Sequence, residues 1–289
     1  MTIDLHVHSS RSDGKFSPSK IIGAAKDKKI TFLSITDHDT IDSQKTAIRL
    51  AKSADLRYIS GVELNVSFSQ PAYREAKQIS LDFLGYQFDP ENEELRAKLV
   101  LMAEYREARA TKILDNLNAA FRSQGIKELT EADFQQIQES ADGTLGRPHI
   151  ADYLVKRGIV RSRQEAFDLY LVRCDVPKYP LYLEEASRII GNAEGKIVLA
   201  HPNDPHGTSL ATLTHSLSEQ TQIIQESMLH LIDGIECWHS RNDDATTSHY
   251  VRFARENNLI MTGGSDCHQN PLIMGTVKIP NYVADQFHP

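Results

Sequence analysis

Twelve histidines are a generous complement for this chain, and they are unevenly spread: three fall at positions 6, 8 and 38, none at 39–148, and nine from 149 onward. His6 and His8 lie in the run Ile3-Asp4-Leu5-His6-Val7-His8. In a strand, side chains alternate faces, so Ile3, Leu5 and Val7 point one way and Asp4, His6 and His8 the other. Two imidazoles on one face, two residues apart, are close enough to share a cation. Other apolar runs end in the same currency of residues: Thr36-Asp37-His38-Asp39, Gly61-Val62-Glu63, Asp82 within Ser80-Leu81-Asp82-Phe83, Ala200-His201-Pro202, Glu236-Cys237-Trp238-His239 and Ser265-Asp266-Cys267-His268. A single strand-end His or Asp is more often a cap or a turn former. Turn chemistry gives no reason for an imidazole or carboxylate at every strand end, whereas a site for metal ions does.

The elements that must position these groups are read from periodicity. Seven short runs rich in β-branched residues stand as strands: 3–8, 32–36, 58–64, 79–84, 197–200, 234–238 and 259–262. Helical patterns separate them, one capped by Ser17 with Pro18 at its first position and another from about Asp42 to Ser53. Alternating strands and helices imply a parallel α/β sheet, closed as a barrel or open and doubly wound. In a parallel barrel the strand ends converge on one face, where catalytic groups sit. Residues 88–182 read differently. No Gly or Pro interrupts 91–124, and Leu95, Leu99, Met102, Ile113 and Leu117 recur at helical spacing, with Asp89 as the expected N-cap and Pro90 at the first position. Shorter helical patterns follow at 131–139, 148–156 and 163–170. We read 88–182 as a helical insertion, a substrate cap, in a domain made of 1–87 and 183–289.

Composition narrows the function. The 289 residues are 40% apolar and 25% charged, and 32 basic against 39 acidic side chains give a formal charge of −7. That balance disfavours long nucleic acid as the ligand. The apolar runs are too short to span a bilayer, which needs roughly 18 residues, and the opening residues carry no secretory signal pattern, so a cytoplasmic protein is expected. Cys174, Cys237 and Cys267 are scattered without a C-x-x-C pair and are expected to be buried, reduced thiols.

The motifs Asp4-Leu5-His6-Val7-His8-Ser9, Ser12-Asp13-Gly14, Thr36-Asp37-His38-Asp39, Gly61-Val62-Glu63, Ala200-His201-Pro202 and Ser265-Asp266-Cys267-His268, in that order, resemble those of the PHP (polymerase and histidinol phosphatase) superfamily. The insertion's Gly146-Arg147-Pro148-His149 is similar to the branch of nucleoside 3′,5′-bisphosphate phosphatases and cyclic phosphate dihydrolases. The resemblance implies a distorted (β/α)7 barrel with two or three divalent cations, Mn, Fe or Zn, at its mouth. It implies that His6, His8, Glu63 and Asp266 hold one ion and Asp13, His38 and His268 another, with Glu63 bridging to a further position at His201. Where the family usually has histidine this chain has Asp82, a harder ligand that branch members acting on cyclic phosphates share.

Such a centre would lower the pKa of water to give a nucleophile for attack on phosphorus and would neutralise charge on the phosphoryl oxygens. The expected activity is hydrolysis of a small phosphorylated molecule, a cyclic diester or a nucleotide or sugar monoester. Its rivals are a 3′,5′-nucleoside bisphosphate phosphatase, a 5′→3′ exoribonuclease and, more distantly, amidohydrolase-type C–N hydrolysis, for which no strand-end lysine offers a carbamate bridge. Arg147 and His149 are the expected substrate contacts, followed by Arg106, Arg109 and Lys112, whose bland alternative is a solvated helix face beside Glu104 and Glu107. For His239 a substrate contact or leaving-group proton donor is favoured over metal ligation.

Overall fold

The apolar runs become eight strands in two sheets, seen in a computed structural model that describes residues 1–76, 78–140, 145–268 and 273–287. β1 (Ile3–Asp4), β2 (Phe32–Leu33) and β3 (Arg57–Tyr58) form a parallel three-stranded sheet, with α1 (Pro18–Asp27) and α2 (Gln44–Ser53) as the crossovers. Ser17 caps α1 through its side chain, as its position before Pro18 predicts. The core of this part gathers Val7, Ile21, Ile22, Leu33, Ile35 and Ala47. Val7 thus faces the core while His6 and His8 face away, the alternation read from the sequence.

The second sheet runs β4 (Gly61–Phe68), β5 (Ile79–Tyr86), β6 (Lys196–Leu199), β7 (Gly234–His239) and β8 (Ile260–Gly264). Here the expectation of one parallel, seven-stranded ring is corrected. β4 and β5 are an antiparallel hairpin, and β5 also lies antiparallel to β6; only β6, β7 and β8 are mutually parallel. The run 58–64 divides at Ile59 and Ser60 into β3 and β4, which belong to different sheets. The sheets do not merge into a closed barrel. They abut through isolated bridges, Val7 with Cys267 and His38 with Glu63. At the first seam Leu5 N–H donates to Gly263 O at 3.1 Å and Asp266 N–H to His6 O at 2.8 Å. At the second, Glu63 N–H donates to Asp37 O at 3.1 Å and Asp39 N–H to Glu63 O at 2.8 Å. α7 (Leu183–Asn192), α8 (Leu217–Ser227), α9 (Asp244–Glu256) and the short α10 (Tyr282–Asp285) complete this part.

The chain divides into two compact units, Met1–Leu99 with Leu181–Pro289, and Val100–Pro180. The boundary falls inside α3 (Glu93–Ser123), later than the sequence reading of 88, because buried Leu95 and Leu99 and the Lys98–Glu185 ion pair tie its opening turns to the first unit. Asp89 does not cap this helix. Its carboxylate accepts from Glu91 N–H in a preceding turn, and Asn92 Oδ1 takes the Leu95 N–H at 3.0 Å instead. The second unit holds α4 (Glu131–Ser140), α5 (Arg147–Lys156) and α6 (Arg163–Ala166), which continues as a π-turn over Phe167–Leu171. These pack around Leu117, Phe121, Ile137, Ile150, Leu154 and Leu171. Among the described residues no helix is long and apolar enough to cross a membrane. All three cysteines are buried and none forms a disulfide.

Candidate metal centre

Two backbone devices bring the first two imidazoles together with the far end of the chain. Asp4, fully buried, accepts from Ser265 N–H at 2.9 Å, Ser265 Oγ at 2.7 Å and Gly275 N–H at 2.7 Å, which clamps the loop after β8 against β1. Gly264 makes that approach possible, since a Cβ there would lie 2.3 Å from His6 Cβ and 2.4 Å from its nitrogen. Asp37 performs the same service for the loop after β1, accepting from Ser9 N–H at 2.7 Å, Ser9 Oγ at 2.8 Å and Ser12 Oγ at 2.9 Å, and so presents Asp13.

Glu63 is the hub. It is fully buried, and four imidazoles converge on it: His6 Nε2 at 3.3 Å, His8 Nε2 at 3.1 Å and His38 Nδ1 at 3.3 Å from Oε2, and His201 Nε2 at 3.0 Å from Oε1. Asp266 Oδ1 lies 3.5, 3.3 and 3.3 Å from His6 Nε2, His8 Nε2 and His268 Nδ1. Asp13 Oδ1 is 3.3 Å from His268 Nε2 and 3.7 Å from His8 Nδ1, and its other oxygen 3.9 Å from His38 Nε2. Asp82, on β5 opposite Asn65 of β4, accepts from Asn65 Nδ2 at 2.6 Å and from Thr208 Oγ1, and stands 4.0 Å from His201 Nε2. His201 and Asp266 adopt positive φ, +22° and +53°, conformations costly for residues with side chains and concentrated at functional sites.

Electrostatics matches this crowding. Burial works against a charged imidazole at His8, yet the hydrogen-bonded carboxylates of Asp266 and Glu63 lift its pKa to about 10; His201, beside Glu63, rises to about 9. Burial would raise Glu63 and Asp266, but the surrounding histidines hold both well below the carboxylate range.

The residues present fit divalent cations. Among the described residues four groups have ligand atoms all within 4.8 Å of one another: His8, Asp13, His38 and His268; His6, His8 and Glu63; His6, His239 and Asp266; and His38, Glu63 and Asp82. His6 Nε2 and His8 Nε2 are 3.1 Å apart; two nitrogens each ~2.1 Å from one cation stand about 3.0–3.4 Å apart. His8 Nδ1, His201 Nδ1 and His239 Nε2 are buried without a hydrogen-bond partner, an uncommon state for buried polar atoms. Every metal position read from the sequence, His6, His8, Asp13, His38, Glu63, Asp82, His201, Asp266 and His268, lies in this cluster.

His239 enters it as well. Its Nδ1 accepts from Arg241 N–H at 3.3 Å and its Nε2 is 3.4 Å from Asp266 Oδ2. A register shift between Glu236 and Trp238 makes this possible. Residues three apart in a regular strand face opposite sides; the extra residue at Cys237 turns Glu236 and His239 to the same side. Glu236, Arg241 and Asp204 were not singled out from the sequence. Arg241 Nη2 lies 2.6 Å from both Asp266 Oδ2 and Asp204 Oδ2, bringing a half-exposed guanidinium to the cluster. Glu236 was visible only as one letter of a strand-end run, and a bulge leaves no periodicity to reveal which way it points.

The expected substrate contacts lie in the second unit. Arg109 and Arg147 both pair with Asp175, Arg147 Nη1 at 2.6 Å, and Arg109 Nε donates to Val176 O. His149 Nδ1 accepts from Gly146 N–H at 3.1 Å at the start of α5. Arg106 is half-buried and Lys112 exposed on α3.

Comparison with known proteins gives the class of this chain, a hydrolase of the metal-dependent phosphoesterase kind. The PHP domain model matches residues 4–151, just over half of the chain, and the chain belongs to that family. It is 32% identical over 206 residues, 69% of this chain and 68% of the relative, to a 5′-3′ exoribonuclease of Haemophilus influenzae. It is 30% identical over 207 residues, 69% of this chain and 66% of the relative, to a 3′,5′-nucleoside bisphosphate phosphatase of Chromobacterium violaceum. Among solved structures, a candidate metal-dependent phosphoesterase of Bifidobacterium adolescentis superposes with a TM-score of 0.77 at 26% identity, covering 98% of this chain and 94% of that one.

Proposed function

We propose that this phosphoesterase hydrolyses a phosphate monoester of a small phosphorylated molecule, a nucleotide such as a nucleoside 3′,5′-bisphosphate being the first choice. The observation that carries the reading is Glu63, a buried carboxylate with one oxygen toward three imidazoles and the other toward His201. That disposition suits a bridge between two cations, of which His6, His8 and Asp266 would hold one and Asp13, His38 and His268 another, with His201 and Asp82 offering a further position. Divalent ions held there, Mn, Fe or Zn, would lower the pKa of water to supply the nucleophile and neutralise charge on the phosphoryl oxygens. His239 suits the proton donor to the leaving group, because Nδ1 is the acceptor of the Arg241 N–H and Nε2 is then the nitrogen that carries the proton. Arg241 adds a guanidinium able to take a phosphoryl oxygen. We extend the substrate-contact reading to Arg147 and His149.

The two relatives cited above are named for nucleotide or RNA substrates, and the net charge of −7 favours the smaller of these. Asp82 favours a second reading, opening of a cyclic phosphodiester, through its likeness to branch members acting on cyclic phosphates. The deciding experiment offers metal-reconstituted protein 3′,5′-bisphosphates, mononucleotides, cyclic nucleotides, sugar 1,2-cyclic phosphates and a short 5′-phosphorylated RNA, and resolves the products: inorganic phosphate from a monoester, a monoester from a cyclic diester, mononucleotides from RNA. A kcat/KM highest for the bisphosphate upholds the first reading. Turnover confined to cyclic diesters or to RNA would replace it.

A further inference from the structure

Glu236 lies outside the six motifs that carry the family resemblance, yet it is fully buried against two of the residues read as ligands. Its Oε1 is 3.0 Å from His6 Nδ1, and its Oε2 accepts the His201 backbone N–H at 2.8 Å. A carboxylate here only accepts, so the proton of that contact sits on His6 Nδ1 and Nε2 is the nitrogen left to ligate. Nε2 is also the nitrogen aimed at Glu63 and His8. At the other oxygen, the bond fixes a backbone whose φ of +22° is otherwise unfavourable, and that backbone delivers His201 Nε2 to Glu63 Oε1. The bulge at Cys237 turns Glu236 inward to reach both.

We infer that Glu236 is a positioning residue that sets two ligands of the centre at once, the tautomer of His6 and the backbone of His201; the inference rests on the reading of His6 and His201 as ligands. A merely structural Glu236 would be a buried carboxylate satisfied by its neighbours, with no bearing on metal affinity. Glu236→Gln separates the two. If the amide oxygen keeps the His201 N–H, the NH2 faces His6 Nδ1 and demands the opposite tautomer, with the proton on Nε2; if the amide flips, two donors meet at His201. Either way one contact is lost at nearly unchanged volume.

The test uses Zn²⁺ as probe. Chelator competition gives the zinc affinity, elemental analysis the equivalents retained, and side-chain ¹⁵N NMR of the zinc-loaded protein the tautomer, with His6 assigned by comparison with His6→Asn. In Glu236→Gln, zinc affinity is expected to fall roughly 10- to 100-fold, the span typical of lost partners behind metal-ligating histidines. The His6 Nδ1–H signature should weaken, and kcat should drop with KM little changed and recover in excess metal. Glu236→Asp, which keeps the charge one methylene short, should fall between Gln and wild type, and it carries the test should the Gln variant not fold. Wild-type zinc affinity and an unchanged His6 tautomer in either folded variant would overturn the inference. Wild-type protein that takes up no zinc would instead defeat the ligand reading itself, and the inference with it.

Discussion

At the scale of single residues, the centre is a set of acids and bases that neutralise one another, and each removal should be felt by the rest. Glu63→Gln deprives four imidazoles of their common partner. We expect it to lose at least one metal equivalent by elemental analysis and at least about 10³-fold in kcat, as for removal of a large transition-state electrostatic term. Retention of full metal content and activity would remove Glu63 from its role as hub. Asp82 tests the substrate reading. It is held by two neutral donors, Asn65 and Thr208, and replacing it by histidine makes the cluster one charge more positive, better matched to a dianionic monoester than to a monoanionic cyclic diester. Asp82→His is therefore expected to shift the ratio of kcat/KM toward monoesters, measured on one substrate of each kind at fixed metal concentration. In the second unit, Arg147→Ala should cost about 2 to 4 kcal/mol in kcat/KM with metal content unchanged, the loss typical of one phosphate donor; metal loss, or an unchanged kcat/KM, would overturn the substrate-contact reading.

At the scale of elements, positions are set by backbone approach and by caps. The Gly264 contact against His6 leaves no room for a methyl group, so Gly264→Ala should destabilise the protein by about 1 to 3 kcal/mol or more and lower metal affinity, read by urea unfolding and zinc titration. In the second unit, Thr130 and Asp133 close a box at the start of α4: Thr130 N–H and Oγ1 donate to Asp133 Oδ2 at 2.7 Å each. Tyr153 and Arg157 of α5 donate to Oδ1. Burial opposes the charge, but these donors hold Asp133 well below the carboxylate range. A depressed folded pKa contributes stability that is complete above the unfolded value of ~3.9 and is lost as pH falls through the folded one. Asp133→Asn should thus cost about 2 kcal/mol at pH 7, with the gap to wild type narrowing below about pH 4. The sequence made the residues gathered around Glu63 legible because chemistry repeats at strand ends, and it made α1, α2 and the helical character of 93–123 legible through caps and periodicity. It hid the β4–β5 hairpin, whose strands are joined by ten residues without a tight-turn signature and whose direction only the long-range pairing with β6 decides. It hid Glu236 and Arg241 for a related reason: a bulge and a loop orient them, and neither has a period.

At the scale of the molecule, a formal net charge of −7 disfavours a long polyanion, whereas a nucleotide need only reach the centre around Glu63. Turnover of a small substrate should therefore depend weakly on salt between 50 and 200 mM, whereas a polymer whose phosphates are neutralised by the protein would lose about 10³-fold or more over such a range. A steep salt slope on RNA with higher kcat/KM than for nucleotides would favour the exonuclease reading. The seam between β1 and β8 also has a consequence in time. Asp4 is clasped by Ser265 and Gly275, and Leu5 and Val7 pair with Gly263 and Cys267. The first strand emerges from the ribosome long before its partner exists: at ~5–20 residues per second, roughly 15 to 50 s separate the synthesis of Asp4 from that of Ser265. Throughout that wait His6 and His8 have no Asp266 and no His268 beside them, so a chain halted before β8 should be unable to retain divalent ions, and the order of translation itself keeps the hydrolase inactive until β8 and His268 have been made.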